Sequence, residues 1–232
     1  MSTDAPYNPL EKINLGASVA DALLSRAVLP LADLSPFNGA GIYALYYTGD
    51  FYAYDRLSKI NRLQGPKVPI YVGKAIPEGG RKGGGASLSC ELGIRPTKAL
   101  FKRLNEHAES IKSTELSVDD FSCRYLVVDD IWIPLGESLL IARFSPLWNM
   151  LLDGFGNHDP GKGRYNGLAP KWDVLHPGRA WAARCQPRQE TAMQIAQEVK
   201  AWLAQAPALM QSRYTVQEAE AEYRVNPRPL PK

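Results

Sequence analysis

Two tyrosines with short flanking motifs are the first residues whose types could do chemistry. Tyr43 ends the run GIY at 41–43, and Tyr71 begins the run YVG at 71–73, 28 residues after the first tyrosine. A phenol ionises near pH 10, so a tyrosine acts as a general base only where its pKa is lowered. If the two runs form neighbouring strands, both hydroxyls can converge on one reacting group. A single tyrosine in a strand would more often be structural.

Arg103 and His107 lie four residues apart in a segment, 97–112, whose apolar residues recur at helical spacing. On a helix this spacing puts both side chains on one face, displaced from the apolar stripe that begins at Phe101. A guanidinium can bind phosphate oxygens, and an imidazole can accept or relay a proton. The alternative is a solvated face that carries an unrelated cation and imidazole.

Glu137 and Asn149 follow in the next part of the chain. In the predicted helix over 134–144, Glu137 is in line with the apolar Leu140 and Phe144, where a carboxylate needs a cation or a metal as partner. A single carboxylate, completed by water and phosphate oxygens, suits Mg²⁺. Alternatively, the helix dipole simply favours Glu137 near the first turns. Asn149 could orient a phosphate or a neighbouring side chain, or it could cap a turn.

The elements that must hold these residues are short. Five of them follow in the order strand, strand, helix, strand, helix, over residues 40–47, 68–73, 97–112, 121–128 and 134–144. This order predicts an α+β fold in which helices pack against a small sheet.

The remaining segments are predicted to be helical or irregular. Residues 15–31 and about 188–205 have helical spacing, whereas the polar stretch 56–67 is expected to connect two strands. Residues 74–95 hold six glycines and are expected to form a long mobile loop. Long ordered loops are usually functional, so this segment is a candidate for contacts with a partner.

The composition is that of a globular protein. The 232 residues are 45% hydrophobic and 22% charged, which argues against wholesale disorder, and no apolar stretch is long enough to span a membrane. The N-terminus lacks the basic and apolar regions of a secretory signal. The three cysteines are far apart and have no zinc-ligand spacing, which suits free thiols in a reducing compartment. A cytoplasmic protein is expected.

Basic residues are concentrated in two windows, although the net charge is only +3. Residues 79–103 and 161–188 each hold six basic residues against one acid. Basic loops of this kind are what a polyanion-binding surface needs, so nucleic acid is slightly favoured as the partner. A mildly basic protein can also carry such windows by chance.

Taken in chain order, these residues resemble the GIY-YIG nuclease superfamily. The set consists of the GIY run, the YVG run with its following lysine, the Arg/His pair, the helix glutamate and a Pro-x-Trp-Asn sequence, which carry Tyr43, Tyr71, Lys74, Arg103, His107, Glu137 and Asn149. The resemblance covers about residues 39–153. It implies a GIY-YIG nuclease fold with a small central antiparallel sheet flanked by helices.

Several further features are similar to the type II restriction endonucleases of that superfamily, in particular to the subgroup that cuts the palindrome CCGCGG. These features are the histidine paired with Arg103, the insertion after Lys74 and the runs 154–164 and 172–179. The resemblance implies an N-terminal helical arm, a catalytic core with a DNA-binding insertion, and a C-terminal extension with basic loops and a helix, over 1–36, 37–155 (insertion about 75–96) and 156–232.

The resemblance also implies Mg²⁺-dependent hydrolysis of phosphodiester bonds in double-stranded DNA, with Mn²⁺ as an alternative ion. Glu137 would bind the metal, and Arg103 would stabilise the charge on the phosphoryl oxygens. Tyr43 and Tyr71 would flank the phosphate, one of them as general base, and His107 would relay the proton. Tyr43 is slightly favoured as the base because His107 could partner it.

Other residues receive supporting roles from the same resemblance. Lys74 would add a second positive contact, and Asn149 would support the site. A palindrome requires two active sites related by a two-fold axis, which implies a homodimer, with residues 1–36 and the insertion as candidates for dimerisation and wrapping. A DNA methyltransferase would be its functional, not physical, partner. Arginines suited to reading guanine are candidates for base contacts, with phosphate contact as the alternative, namely Arg81, Arg95, Arg164 and Arg179.

Two other functions stay open. A homing or structure-selective repair nuclease of this superfamily usually carries a separate domain, and the residues after the core show no zinc or helix-hairpin-helix pattern. A non-catalytic DNA-binding module would be expected to lack some of the site residues, and none is missing. Two further features predict nothing: the run 161–164 lacks the spacing of a P-loop, and the neighbours His158 and Asp159 alone do not make a metal site.

Overall fold

The structure is a computed structural model that describes residues 8–77, 97–161 and 165–205. These residues form four strands, seven α-helices and three single-turn 3-10 helices. The strands β1 to β4 cover Leu29–Pro30, Gly41–Tyr47, Tyr71–Ala75 and Phe121–Val127. The helices α1 to α7 cover Lys12–Leu24, Asp55–Gln64, Ala99–Lys112, Ile133–Phe144, Leu147–Met150, Lys171–Leu175 and Ala192–Gln205. In the described part of the chain, no helix combines the length and the apolarity needed to cross a membrane.

The strands form one antiparallel sheet in the order β1-β4-β2-β3, with β2 between two partners and β3 at an edge. All seven residues of β2 are buried. Because side chains alternate in direction along a strand, Tyr43 and Leu45 pack into one core and Ile42 and Ala44 into another on the opposite face. The predicted α+β fold with a small antiparallel sheet is therefore confirmed.

Helices cover both faces of the sheet. The helices α1 and α4 pack against each other and over the face of Ile42. The other face is covered by α3 and α5, and its core continues without interruption to Trp172 in α6 and Val199 in α7. The segment after residue 155 therefore shares one hydrophobic core with the sheet.

The glycines of the two tyrosine motifs allow β2 to approach its neighbours closely. Gly73 is paired with Tyr43 in the adjacent strand, and a Cβ atom at Gly73 would lie 2.4 Å from the Tyr43 hydroxyl oxygen. A Cβ atom at Gly41 would lie 2.0 Å from the carbonyl oxygen of Leu126 in β4. Both distances are shorter than any van der Waals contact, so no other residue fits either position without displacing the strands.

Most of the predicted elements are confirmed with shifted ends. The strand predicted over 68–73 spans Tyr71–Ala75, and the last helix begins at Ala192 rather than near 188. The first helix spans 12–24 instead of 15–31, and Leu29–Pro30 pairs with β4 as an edge strand. Proline is tolerated there because the N–H that it lacks would be needed only in an inner strand. Most of the predicted loop over 74–95, residues 78–96, lies outside the described residues.

The prediction of a connecting stretch over 56–67 is wrong, because residues 55–64 form the helix α2. Its buried side chains, Leu57, Ser58 and Asn61, are mostly polar, so the helix shows no apolar periodicity in the sequence. Burial is possible because these polar groups are hydrogen-bonded: Ser58, for example, donates to the carbonyl oxygen of Gly49 at 2.6 Å.

Asn61 joins the end of β2 to the chain that enters β3. Its Nδ2 donates to the carbonyl oxygens of Tyr47 and Val68, at 3.1 and 2.9 Å. Its Oδ1 accepts from the backbone N–H groups of Lys67 and Val68, at 3.1 and 2.9 Å. One buried amide therefore makes four hydrogen bonds to the backbone, in place of those that a turn would make between backbone groups.

We expect Asn61→Ala to lower the free energy of unfolding by at least about 2 kcal/mol, because it leaves buried backbone groups without partners. Urea unfolding followed by circular dichroism measures this loss. The matched control is Asn14→Ala, which removes a single exposed hydrogen bond to the carbonyl oxygen of Asn8 and should change stability by no more than about 0.5 kcal/mol. Equal effects of the two substitutions would contradict the role of Asn61.

Candidate active site

The side chains singled out in the sequence come together where β2, β3, α3 and α4 meet. Tyr43 projects from the centre of the sheet, Tyr71 from the edge strand, and Arg103 and His107 from α3. The ring centroids of Tyr43 and Tyr71 are 6.2 Å apart, and the His107 ring lies 5.4 Å from the first and 5.3 Å from the second. Two phenols and one imidazole therefore form a single cluster.

Tyr43 and His107 are joined by a buried hydrogen bond. The Tyr43 hydroxyl oxygen lies 2.6 Å from His107 Nε2, and the two residues are 0% and 1% exposed. His107 belongs to the buried side of α3, with Leu104, Ala108 and Ile111. The prediction that its face is displaced from the apolar stripe is therefore wrong: the imidazole points into the core, where only a polar partner such as the phenol makes its burial tolerable.

Burial determines the protonation states of this pair. Burial lowers the pKa of His107 well below its usual value, and the neighbouring Arg103, His158 and Arg179 lower it further. His107 is therefore neutral and able to accept a proton. Burial also raises the pKa of Tyr43 well above its usual value, with an added increase from Tyr71 and an opposing decrease from Arg103.

The pKa of the second tyrosine is also raised. Burial raises the pKa of Tyr71, Arg103 lowers it, and the negative charge of Glu137 raises it. Neither phenol therefore ionises readily in the protein alone, and the lowered pKa that a free tyrosinate base requires is not supplied by the described residues. The cluster instead supplies a phenol that is hydrogen-bonded to a neutral imidazole. A proton can pass through this hydrogen bond without the formation of a free phenolate.

Arg103 is fixed by three contacts on the side of the site away from the sheet. Its Nη2 donates to the carbonyl oxygen of Gly156 at 2.5 Å. Its Nη1 lies 2.9 Å from a carboxylate oxygen of Glu106 and 2.6 Å from His158 Nε2. Only 16% of the side chain is exposed, so the guanidinium is held in place beside the two tyrosines.

Glu137 is paired with a lysine from the edge strand. Lys74 Nζ donates to Glu137 Oε2 at 2.6 Å, with the side chains 35% and 18% exposed. The cation that a carboxylate on this face requires is thus present in the chain. Lys74, predicted as a DNA contact, has an internal partner next to the tyrosine cluster.

The donor set for a metal at this position is small. Among the described residues, no group of three or more His, Cys, Asp or Glu side chains is arranged to hold an ion. Glu137 offers one partly exposed carboxylate, of which Oε2 accepts from Lys74. A single carboxylate fits Mg²⁺, which keeps most of its water and takes further oxygens from a bound phosphate.

Asn149 holds the edge strand from outside. Its Nδ2 donates to the carbonyl oxygen of Val72, and its Oδ1 accepts from the Val72 N–H, both at 2.8 Å. Val72 lies between Tyr71 and Gly73, so this amide fixes the strand that carries the second tyrosine. Asn149 lies in the short helix α5, which begins directly after Pro146.

The predicted DNA contacts are not supported as a set. Arg81, Arg95 and Arg164 lie outside the described residues. Arg179 is only 7% exposed, and its N–H groups donate to the carboxylate of Asp173 and to three backbone carbonyl oxygens. A buried guanidinium whose donors are all engaged cannot read a base edge, so that prediction for Arg179 is wrong.

Three residues of the site were not predicted from the sequence. The Phe155 ring stacks on His107, with centroids 4.5 Å apart and planes 18° apart. Gly156 and His158 bind Arg103. Asp159 pairs instead with Arg184 at 2.9 Å, so His158 and Asp159 serve different partners. In the sequence, the run 154–164 stands out only through the resemblance, because nothing in its residue types indicates that its backbone reaches α3.

Comparison with known proteins is consistent with this geometry. A family model described as the Eco29kI GIY-YIG domain matches residues 35–203, well over half of the chain. The match begins just before β2 and ends in α7, so it includes every site residue named above. No curated protein sequence matches the chain.

The neutral state of His107 makes stability depend on pH. Below about pH 6.5 the unfolded chain binds a proton at this residue that the folded protein does not, so acidification lowers the free energy of unfolding and raising the pH restores it. We expect His107→Gln to weaken this dependence, by up to about 1.4 kcal/mol per pH unit. Urea unfolding of both proteins at several pH values between about 5 and 7.5 measures it. An unchanged slope would mean that His107 is protonated in the folded protein.

Proposed function

The chain belongs to the Eco29kI GIY-YIG domain family, whose members are nucleases acting on DNA, and on that premise we propose that it is a type II restriction endonuclease. The proposed substrate is double-stranded DNA with a short GC-rich palindrome, CCGCGG, and the proposed reaction is Mg²⁺-dependent hydrolysis of one phosphodiester bond in each strand. The observation that carries this proposal is the buried Tyr43–His107 hydrogen bond, with Arg103 beside it.

The proton of the attacking water leaves through this pair. As the water attacks phosphorus, its proton passes to the Tyr43 hydroxyl oxygen, and the Tyr43 proton passes to His107 Nε2. Burial keeps the imidazole neutral beforehand, so its ring nitrogen has a lone pair for this proton, although the same burial makes the charged form unfavourable once it has formed. The raised pKa of Tyr43 then matters less, since the phenol exchanges one proton for another and never accumulates as phenolate.

Arg103 and the Lys74–Glu137 pair handle the charge. Arg103 donates to the phosphoryl oxygens as negative charge increases on them, and its contacts to Gly156 and Glu106 keep it in position beforehand. Glu137 would hold Mg²⁺ (or Mn²⁺), which when bound neutralises charge on the scissile phosphate and on the leaving oxygen. Lys74 keeps a positive charge beside the same carboxylate.

Cleavage of a palindrome in both strands requires two copies of this site related by a two-fold axis, so the proposal includes a homodimer. The helix α1 packs against α4 of its own chain, which leaves its outward side and the insertion over about 75–96 as the candidates for dimerisation and wrapping. The proposal also includes a DNA methyltransferase as a functional, not physical, partner, which would protect the host DNA by modifying the same sequence.

Digestion of a fully sequenced plasmid tests the proposal directly. With purified protein and Mg²⁺ we expect discrete fragments whose ends, when sequenced, all fall in one palindrome, and no fragments with EDTA. The end sequences also give the stagger of the cut. Nicks, smears or cleavage of branched substrates only would instead support a homing or structure-selective repair nuclease.

We expect Glu137→Gln to abolish cleavage while leaving DNA binding intact, because it removes the carboxylate proposed to hold the metal and leaves the basic loops unchanged. Cleavage assays and fluorescence anisotropy with a labelled duplex measure the two properties. Glu109→Gln is the control, because Glu109 makes only an exposed ion pair with Lys112 on the outer side of α3. If Glu137→Gln also lost DNA binding, Glu137 would be structural rather than catalytic.

Arg103→Ala should lower the single-turnover cleavage rate by at least about a hundredfold, comparable to the loss of one donor that stabilises a transition state. Arg143→Ala is the matched substitution, because Arg143 forms a surface ion pair with Asp21 far from the tyrosines. Near-normal cleavage by the Arg103 variant would exclude this guanidinium from the reaction.

A further inference from the structure

Arg179 and Asp173 form a buried ion pair beneath the site. Arg179 Nε and Nη2 donate to the two carboxylate oxygens of Asp173 at 2.6 and 2.5 Å, and each residue is 7% exposed. The guanidinium lies over the rings of Trp172 and Trp181, 4.6 and 4.8 Å from their centroids. A buried ion pair is weak evidence for stability, because desolvation offsets much of the attraction. Its presence therefore needs another explanation.

The remaining donors of Arg179 hold a turn of the backbone. Nη2 donates to the carbonyl oxygen of Gly154 at 2.9 Å, and Nη1 donates to those of Phe155 and Asn157 at 3.1 and 3.2 Å. The Asn157 N–H donates to the Gly154 carbonyl oxygen at 3.0 Å, so residues 154–157 form a closed turn, here called the 154–157 turn. Every donor of the guanidinium fork is used either on this turn or on Asp173.

The outer side of the 154–157 turn contacts the residues proposed to react. The Gly156 carbonyl oxygen accepts from Arg103 Nη2 at 2.5 Å. The Phe155 ring stacks on the His107 ring at 4.5 Å. Gly156 also lies against the second tyrosine, since a Cβ atom there would be 2.5 Å from the Tyr71 hydroxyl oxygen. The turn is thus the wall of the site opposite the sheet.

We infer that Arg179 is a positioning residue for the cleavage reaction. It fixes the 154–157 turn, and this turn fixes Arg103 and His107. This inference rests on the proposed function. Three carbonyl oxygens of the turn converge on the guanidinium, and among side chains only a planar fork with five donors meets three such oxygens and a carboxylate at once. Asp173 neutralises the charge that this arrangement buries. Since small displacements of a reacting group are costly in rate, the effect is on cleavage rather than on DNA binding.

The test is Arg179→Lys, which keeps the charge beside Asp173 but cannot reach all three carbonyl oxygens. A second variant, Arg179→Gln with Asp173→Asn, removes both charges together, so that no buried charge is left without its partner. We expect each variant to cleave at least about tenfold more slowly at saturating enzyme, with the affinity for the duplex in EDTA unchanged within about threefold. Asn61→Ala is the control, because it removes buried hydrogen bonds at the far end of β2 and should not slow cleavage below its melting temperature.

Two readouts separate positioning from a general loss of stability. In an Arg103→Ala background, Arg179→Lys should lower the rate by no more than about threefold, since the residue through which it mainly acts is gone. In NMR spectra, Arg179→Lys should shift the His107 ring signals, because the Phe155 ring moves, whereas Asn61→Ala should not. This second readout needs no cleavage, so it tests the link from Arg179 through the turn to His107 separately from the proposed function.

Three outcomes would overturn the inference. One is a folded Arg179→Lys variant that cleaves within about twofold of the unsubstituted protein with unshifted His107 signals. Another is an equal loss of rate in the presence and absence of Arg103. The third is failure of both Arg179 variants to fold, which would mean that Arg179 holds the whole C-terminal segment rather than one turn.

Discussion

The hydroxyl group of Tyr43 lies at the centre of the molecule, and a buried hydroxyl must find a hydrogen-bond partner inside the protein. Its partner is His107, and most of the surrounding structure follows from this one bond. It joins α3 to the central strand at His107, one helical turn from Arg103, and so helps to hold Arg103 beside the tyrosines. It also requires Gly73 in the neighbouring strand, since any side chain there would occupy the space of the phenol.

The same bond explains how a tyrosine with a raised pKa can take part in acid–base chemistry. Desolvation raises the pKa of the phenol and lowers the pKa of the imidazole, so both groups are neutral. The pair therefore starts as donor and acceptor, with no charge to be stabilised until the reaction supplies one. The core that makes this possible includes Phe155 and Trp172 from the C-terminal segment, so that segment is part of the site's environment.

Much of the sheet and of the tyrosine cluster could be predicted from the sequence, because local patterns encode them. The β-branched and aromatic run over 40–47 predicts a strand, and the four-residue spacing of Arg103 and His107 predicts that they share a helix face. What could not be predicted depends on partners distant along the chain. The burial of His107 against Tyr43 joins residues 64 apart. Arg179 looked like a surface cation because its type is usually exposed, and nothing nearby in the sequence reveals the carbonyl oxygens that it binds.

The amide of Asn149 has a consequence beyond the reaction. A strand at the edge of a sheet presents unpaired N–H and C=O groups that can recruit a strand from another molecule. Here Asn149 occupies both outward groups of Val72, and the Trp148 N–H occupies the carbonyl oxygen of Ile70. Two residues of a single helical turn thus take the place of a neighbouring strand along this part of the edge. Addition of a strand from another molecule is thereby hindered at Ile70 and Val72.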